Sequence, residues 1–408
     1  MRVIKNVLIN AGLVVASLVV GGAFVFTAGE IFLHTRYGSL PPGPPVEWHA
    51  YDVRRGWTVK PGRYSYFNVQ ALRPVDVSIN DLGLRTGPVS GEPGPEVERV
   101  TILGDSFVFG PSVNDAETIP AQLQALAGSS FEVVNVSAPG YGTGQQYRFL
   151  EELQAKGYRI GGKLVIVFFT NDILDNLGIT YGSLERNPWQ PIFSVDASGK
   201  LQQTVPQRFN TDGAGNRSLL ARSLFIPFVR YHLEVLAVSY PVTLDVLKAA
   251  GVAPALPYTP GIIAGWYGPQ WDAWWAVTED VLEYVVRTVR ALDDAPEVFI
   301  AFVPSPFQVN ESFRRTIEAR AATDARYASF LSDPDRPQRV LRLLARRLDV
   351  PFIDMTPEVR REAGHSLVYF PREGHFTGLG CAIAAKVIYE QAFQKERVAS
   401  SLGMAGAR

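Results

Sequence analysis

From Arg99 onward the chain alternates short β-branched, apolar runs with amphipathic stretches, and this alternation constrains the fold more than any other feature. Strands are predicted at Val100–Leu103, Glu132–Asn135, Lys163–Thr170, Val298–Val303 and Val350–Ile353. Helices are predicted near Ala116–Leu126, Gln145–Ala155, Trp271–Leu292, Gln338–Leu348 and Leu379–Gln394. A run such as KLVIVFFT has apolar residues at consecutive positions, so both faces of its strand must be covered. The expected fold is therefore α/β, a doubly wound sheet of about five parallel strands with helices on both sides. The alternation breaks between residues 174 and 268, where Pro, Gly and aromatic residues dominate and only Ala221–Leu247 shows scattered helical pattern. An interruption of that length in one domain is a functional insertion or a subdomain.

The second constraint lies at the N-terminus. No residue from Asn6 to Gly29 is charged. Roughly 20 apolar residues cross a bilayer. Arg2 and Lys5 precede the run and Glu30 follows it, which predicts a cytoplasmic N-terminus and an extracytoplasmic remainder. A cleaved signal peptide is the rival reading. Its apolar core is about 7–15 residues with a small-x-small cleavage site. This run is longer and Thr27-Ala28-Gly29 is a mediocre site, so an uncleaved anchor is expected. The expected organisation is an anchor over 1–36, a Pro-rich spacer and β-rich lead-in over 37–95, and the main domain over 96–398 with the insertion at 174–268. YGSLPPGPPVEW is read as a stiff, extended spacer rather than a packed element.

The chain has 408 residues, 47% of them hydrophobic, enough for a sizeable core. Its net charge of −1 gives no electrostatic basis for a nucleic-acid partner. The single cysteine, Cys381, can form neither an internal disulfide nor a Cys/His metal cluster, and no metal or cofactor is expected.

Four polar stretches fall at or beyond the carboxyl ends of predicted strands. They are GDSFVFG (Gly104–Gly110), NVSAPGYGTGQQ (Asn135–Gln146), FFTNDILDN (Phe168–Asn176) and FPREGHFTGLG (Phe370–Gly380). In a parallel sheet these ends share one edge, where ligands bind. Together the stretches hold what acyl transfer needs: a nucleophile, a base within hydrogen-bond reach, and donors for an oxyanion. Ser106 offers the hydroxyl and His375 the base. The N–H groups of Ser106 and Gly140, with the Asn171 side-chain amide, are the candidate donors, and glycine lets the backbone approach closely. Each has a plainer reading: Ser106 as a helix cap, Gly140 as a turn residue, Asn171 as a strand-end residue bonding its own backbone. The four stretches in order favour function. Asp172, Asp175 and Asn176 read as loop supports. Of the other histidines, His34, His49 and His232 read as structural or solvent-facing, and His365 is the rival base.

This order of GDS, a later Gly, ND and a late His resembles the SGNH (GDSL-type) hydrolases, and INDLGLRTG resembles the lead-in of membrane-anchored bacterial members. The resemblance runs from about Arg99 to Gln394 and leaves the insertion outside its motifs. It implies a flavodoxin-like sheet and a serine esterase or acyltransferase. Ser106 would be the nucleophile, His375 the base, and Gly140 and Asn171 oxyanion donors. One position departs. The family commonly has Asp three residues before the His, and Arg372 stands there. Glu373 is the nearest carboxylate, but residues two apart on a helix face away from each other, so this segment must be a loop. Asp354 is the alternative acid, and a Ser–His dyad is a further possibility. The expected activity is hydrolysis of an O-acyl carbohydrate or similar small ester. An O-acetyltransferase acting on an extracytoplasmic polysaccharide and a non-catalytic binding domain are the alternatives. Arg339–Arg347 reads as a solvated helix face, and the tryptophans between Trp266 and Trp275 as packing, with a sugar platform as the alternative.

Overall fold

The computed structural model describes residues 2–44, 48–208, 223–240, 246 and 268–394, apart from 88, 90, 95, 182–183 and 323–324. Helix α1 (Arg2–Tyr37) is followed by two antiparallel hairpins, β1 (His49–Asp52) with β2 (Gly56–Val59) and β3 (Gly62–Asn68) with β4 (Arg73–Ile79). The main unit then runs β5 (Glu98–Gly104), α2 (Ser106–Phe109), α3 (Ile119–Ala127), β6 (Phe131–Ser137), α4 (Thr143–Ala155) and β7 (Lys163–Phe168). The insertion contributes α5 (Asp172–Asn176), the hairpin β8 (Phe193–Val195) with β9 (Leu201–Gln203), and α6 (Phe225–Ser239). The rest of the expected helical pattern at Ala221–Leu247 lies largely outside the described residues. The chain returns through α7 (Gly268–Arg290), β10 (Glu297–Phe302), α8 (Arg336–Leu348), β11 (Phe352–Asp354) and α9 (Gly378–Ala392), with shorter helices between them.

The five strands β5, β6, β7, β10 and β11 are parallel and lie in the order β6-β5-β7-β10-β11. Counted along the chain this is 2-1-3-4-5, the flavodoxin-like order. Register is set by apolar pairs: Leu103 lies beside Val136 and Ile166, and Ile300 beside Ile166 and Phe352. Successive residues point to opposite faces. Leu164, Ile166 and Phe168 of β7 join one core with Leu150 of α4, Val285 of α7 and Leu344 of α8. Val165 and Val167 join the other, with Leu123 of α3 and Ile388 of α9. The uninterrupted apolar sequence of β7 follows from this double coverage. The reversal of strand order places a crevice outside the carboxyl ends of β5 and β7.

Element ends differ from the sequence reading for local reasons. Helix α3 starts at Ile119 because Asp115–Glu117 forms a 3₁₀ turn and the Thr118 hydroxyl then accepts the Ala121 N–H. Strand β11 starts at Phe352, after Pro351, which has no N–H to give.

The lead-in is folded against the sheet unit. Trp48, Tyr66, Val75, Val77 and Leu84 sit in the same core as β7. The buried Arg85 guanidinium donates to the carbonyls of Phe109 and Val113 at 2.7 Å each, and to that of Gly110, while its Nε pairs with Asp115 at 2.8 Å. The start of the Pro-rich segment also packs, contrary to the free spacer expected. Phe67 N–H donates to Pro41 and Gly43 N–H to the Phe67 carbonyl, each at 2.9 Å. Proline lacks a donor but keeps its acceptor, and the following glycine supplies the missing N–H. Residues 45–47 of that segment lie outside the described residues. Within α1, Gly12–Tyr37 is long and apolar enough to cross a membrane.

Candidate active site

Ser106 stands where β5 ends and the chain turns. Gly104 closes the strand, and a Cβ there would fall 2.2 Å from the Val108 side chain, so the turn needs glycine. The Asp105 carboxylate accepts the Phe107 N–H at 2.8 Å and starts the short helical turn α2, which Gly110 ends at φ +75°. Ser106 is the first residue of that turn, so its N–H belongs to the group left without an intrahelical acceptor.

His375 arrives from a tight loop rather than a helix. Phe370 N–H donates to the His375 carbonyl and Gly374 N–H to the Phe370 carbonyl, both at 2.9 Å. Gly374 has φ +78°, a conformation in which a side chain would be strained. The loop turns Glu373 and His375 toward each other. The His375 Nε2 lies 2.7 Å from Ser106 Oγ, and its Nδ1 lies 3.0 Å from Glu373 Oε1. The second contact is off the line of a good hydrogen bond, so its attraction is chiefly electrostatic. With the proton on Nδ1, Nε2 is free to accept from the serine hydroxyl. Ser112 donates its hydroxyl to Glu373 and accepts from Asn68 Nδ2 at 2.9 Å, which ties the acid to the lead-in hairpin. Burial pulls the imidazole pKa of His375 down. The close Glu373 carboxylate, with the charge of Asp105, more than offsets this and leaves it above its ordinary value.

The other donors come from beyond β6 and β7. Gly140 has φ +73°, and a Cβ would meet the Trp57 ring at 3.2 Å. Its carbonyl accepts Gln190 Nε2 at 3.0 Å, while its N–H meets no acceptor among the described residues. Asn171 Nδ2 donates to Asp175 Oδ2 at 3.1 Å and to the Tyr181 hydroxyl at 3.2 Å. It also lies near the Asp105 carboxyl and works to lower its pKa. Ser106 and Asn171 thus follow the two strands that flank the crevice.

Asp172, Asp175 and Asn176, read as loop supports, form a buried helical turn instead. Asp172 accepts from Thr143 Oγ1 at 3.2 Å and from Gln146 Nε2 at 3.4 Å. Asp175 accepts from the Tyr181 hydroxyl at 2.6 Å and from Gln190 Nε2 at 2.7 Å. Burial pushes both carboxyls well above the usual range, and the neighbouring Asp105 adds to the effect in each. Asp105 itself is raised by burial, against its bond from Phe107 N–H.

Asp354 does not serve His375. Its Oδ2 pairs with Arg342 at 3.2 Å and its Oδ1 accepts the Thr356 N–H at 3.0 Å, so both oxygens are engaged away from the imidazole. His365 is exposed, and Ser106 is met by His375 instead. Trp271 and Trp275 are buried, with Trp275 stacked on Phe168, so this part of the tryptophan cluster is packing; Trp266 lies outside the described residues. Arg339, Arg342, Arg346 and Arg347 form an exposed basic face, as expected.

Sequence reasoning missed Ser112, Asn68, Tyr181 and Gln190. Ser112 lies 261 residues from the acid it holds, and Tyr181 and Gln190 open an insertion without periodicity. Only the closeness of Ser112 to the GDSFVFG block hinted at a role.

No family model and no curated protein matches the chain. Among solved structures it is similar to a carbohydrate acetylesterase family member from Sinorhizobium meliloti, at 14% identity over 71% of this chain and 95% of that one, TM-score 0.36. It is similar to TesA at 12% identity over 73% of this chain and 99% of that one, TM-score 0.36. It is also similar to a catalytic mutant of Axe2, an acetylxylan esterase from Geobacillus stearothermophilus, at 13% identity over 72% and 93% of the two chains, TM-score 0.34. These likenesses are loose. The fold assignment rests on the strand order, and the site on its own distances.

Proposed function

We propose that the chain is a membrane-anchored serine esterase of the SGNH type that works through an acyl-enzyme. The observation that supports it most is the line Ser106 Oγ, His375 Nε2 and Nδ1, Glu373 Oε1, with spacings of 2.7 and 3.0 Å, at the crevice of the sheet. Ser106 attacks the ester carbonyl while His375 takes its proton, and Glu373 stabilises the imidazolium so formed. The oxyanion meets the N–H groups of Ser106 and Gly140, and the Asn171 amide joins them once one of its two N–H groups leaves Asp175 or Tyr181. The alcohol leaves with the proton from His375. Water then gives a proton to His375, attacks the acyl carbonyl and restores Ser106.

The substrate is a small ester or an O-acyl glycan, and α1 holds the site on the extracytoplasmic side. Full-length protein in detergent should hydrolyse a short-chain aryl ester, and Ser106→Ala should lower kcat on the order of 10⁵-fold or more. Undiminished turnover in that variant would end the proposal. With an acetyl donor and a glycan present, free acetate marks hydrolysis and acetylated glycan marks transfer.

A further inference from the structure

Helix α6 takes no part in the chemistry above. One side of it is buried, at Glu234, Ala237 and Val238. Another side is apolar yet open, with Ile226 44%, Val229 40% and Leu236 45% exposed. Spacings of three and seven residues put these on one stripe. Single exposed apolar residues are ordinary on a protein surface, but a contiguous stripe marks a contact.

The stripe is continuous with α1. Phe225, the first residue of α6, lies on Gly29, where a Cβ would fall 2.2 Å from its ring, and meets Phe26 edge-on at 5.7 Å. The Glu30 carboxylate accepts from Ser223 Oγ and from the N–H groups of Leu224 at 3.1 Å and Phe225 at 3.4 Å. One helix thus caps the other, and the apolar residues of α1, exposed from Leu13 to Phe32, adjoin the start of α6.

A cavity of about 730 Å³ lies beside this junction, lined by Arg230, Arg372, His34, Ser223 and Glu373 among others. Arg230 Nε pairs with Glu234 at 2.9 Å, and Arg372 lies near both of them. The two guanidinium groups meet one carboxylate on the cavity wall, Glu373, and a second, Glu234, beside it.

We propose that α6 is a second membrane contact, its stripe entering the lipid–water boundary beside α1 while Arg230 and Arg372 take a lipid phosphate in the adjoining cavity. This rests on reading α1 as an anchor. Helices with an apolar side and a basic margin lie in the interface in this manner, and guanidinium groups bind phosphate through paired N–H donors. Glu373 lines the same cavity, so the catalytic loop sits against the head-group layer and the site faces esters held at the bilayer surface.

The test uses the full chain in phosphatidylglycerol-containing vesicles. Cys381 is buried, with its thiol pushed up to about 12 by burial, so cysteines can be added singly for spin labelling. Labels go at Leu18→Cys in α1, Val229→Cys and Leu236→Cys in α6, and Leu343→Cys on the far, exposed face of α8. Oxygen should broaden the labels at 18, 229 and 236 more than a water-soluble nickel chelate does, with 18 the deepest, and the order should reverse at 343. If 229 and 236 behave like 343 while 18 is in lipid, the inference fails and the anchor stands. If 18 is also in water, both fall. A calorimetric titration with short-chain phosphatidylglycerol should show binding weakened about tenfold or more in the Arg230→Gln/Arg372→Gln double variant. Unchanged binding in that variant, or equal binding of inorganic phosphate, would overturn the lipid site.

Discussion

The two flanks of Ser106 hold their carboxyl groups in opposite ways. On one flank Glu373 faces the imidazole of His375 and accepts from a single hydroxyl, that of Ser112. On the other, Asp172 and Asp175 are fully enclosed and among the described residues accept from neutral donors: Thr143, Gln146, Tyr181, Gln190 and Asn171. The contrast matches the charge each flank has to bear. In the proposed reaction His375 becomes a cation and returns, so a carboxylate beside it would lower the barrier. In that reaction the Asn171 flank would receive a developing negative charge, and a full anion there would oppose it. Burial pushes both carboxyls toward the neutral acid, which lessens the charge this flank carries.

Variants at the two flanks should therefore differ sharply. Glu373→Gln should cost on the order of 10⁴ in kcat, because the amide cannot stabilise the imidazolium. It should also move the acid limb of the kcat/KM profile. His375 works as a base only when neutral, and its pKa is raised, so wild-type activity should fall as pH drops through a midpoint above about 6.5. Removing the Glu373 charge should bring that midpoint down; an unmoved midpoint would separate Glu373 from His375. Asn171→Ala should lower kcat roughly 10²–10³-fold with KM little changed, read by steady-state hydrolysis of the same ester. Asp172→Asn should have the smallest effect, about fivefold or less, because an amide replaces a carboxyl that burial pushes toward its neutral form. A loss comparable to that of Glu373→Gln would mean that Asp172 is an anion at work, and the contrast between the flanks would disappear.

How much of this could be read in advance varies with the range of the interaction. The five strands were legible because β-branched, apolar runs are a local signal, and the four polar blocks because they follow those runs directly. Glu373 was legible through Pro371 and Gly374, which mark a loop able to bring residues two apart face to face. Choosing between Glu373 and Asp354 needed coordinates, since Asp354 is held by Arg342 through a helix–strand contact that leaves no pattern in the sequence. Glu30 shows the same limit. As a charge it marks the end of the apolar run, and only the fold reveals that it caps a helix some two hundred positions later. The Pro-rich segment misled for a similar reason: stiffness can be read from composition, but the strand edge on which Pro41 lies cannot.

Arg85 has a practical consequence. It works like a rivet driven from the lead-in into the back of the nucleophile's turn, holding the carbonyls of Phe109, Gly110 and Val113. An expression fragment trimmed to begin at the GDS motif would discard the rivet and keep the hole. Such a fragment could retain every residue of the reaction and still let the serine drift from its partner.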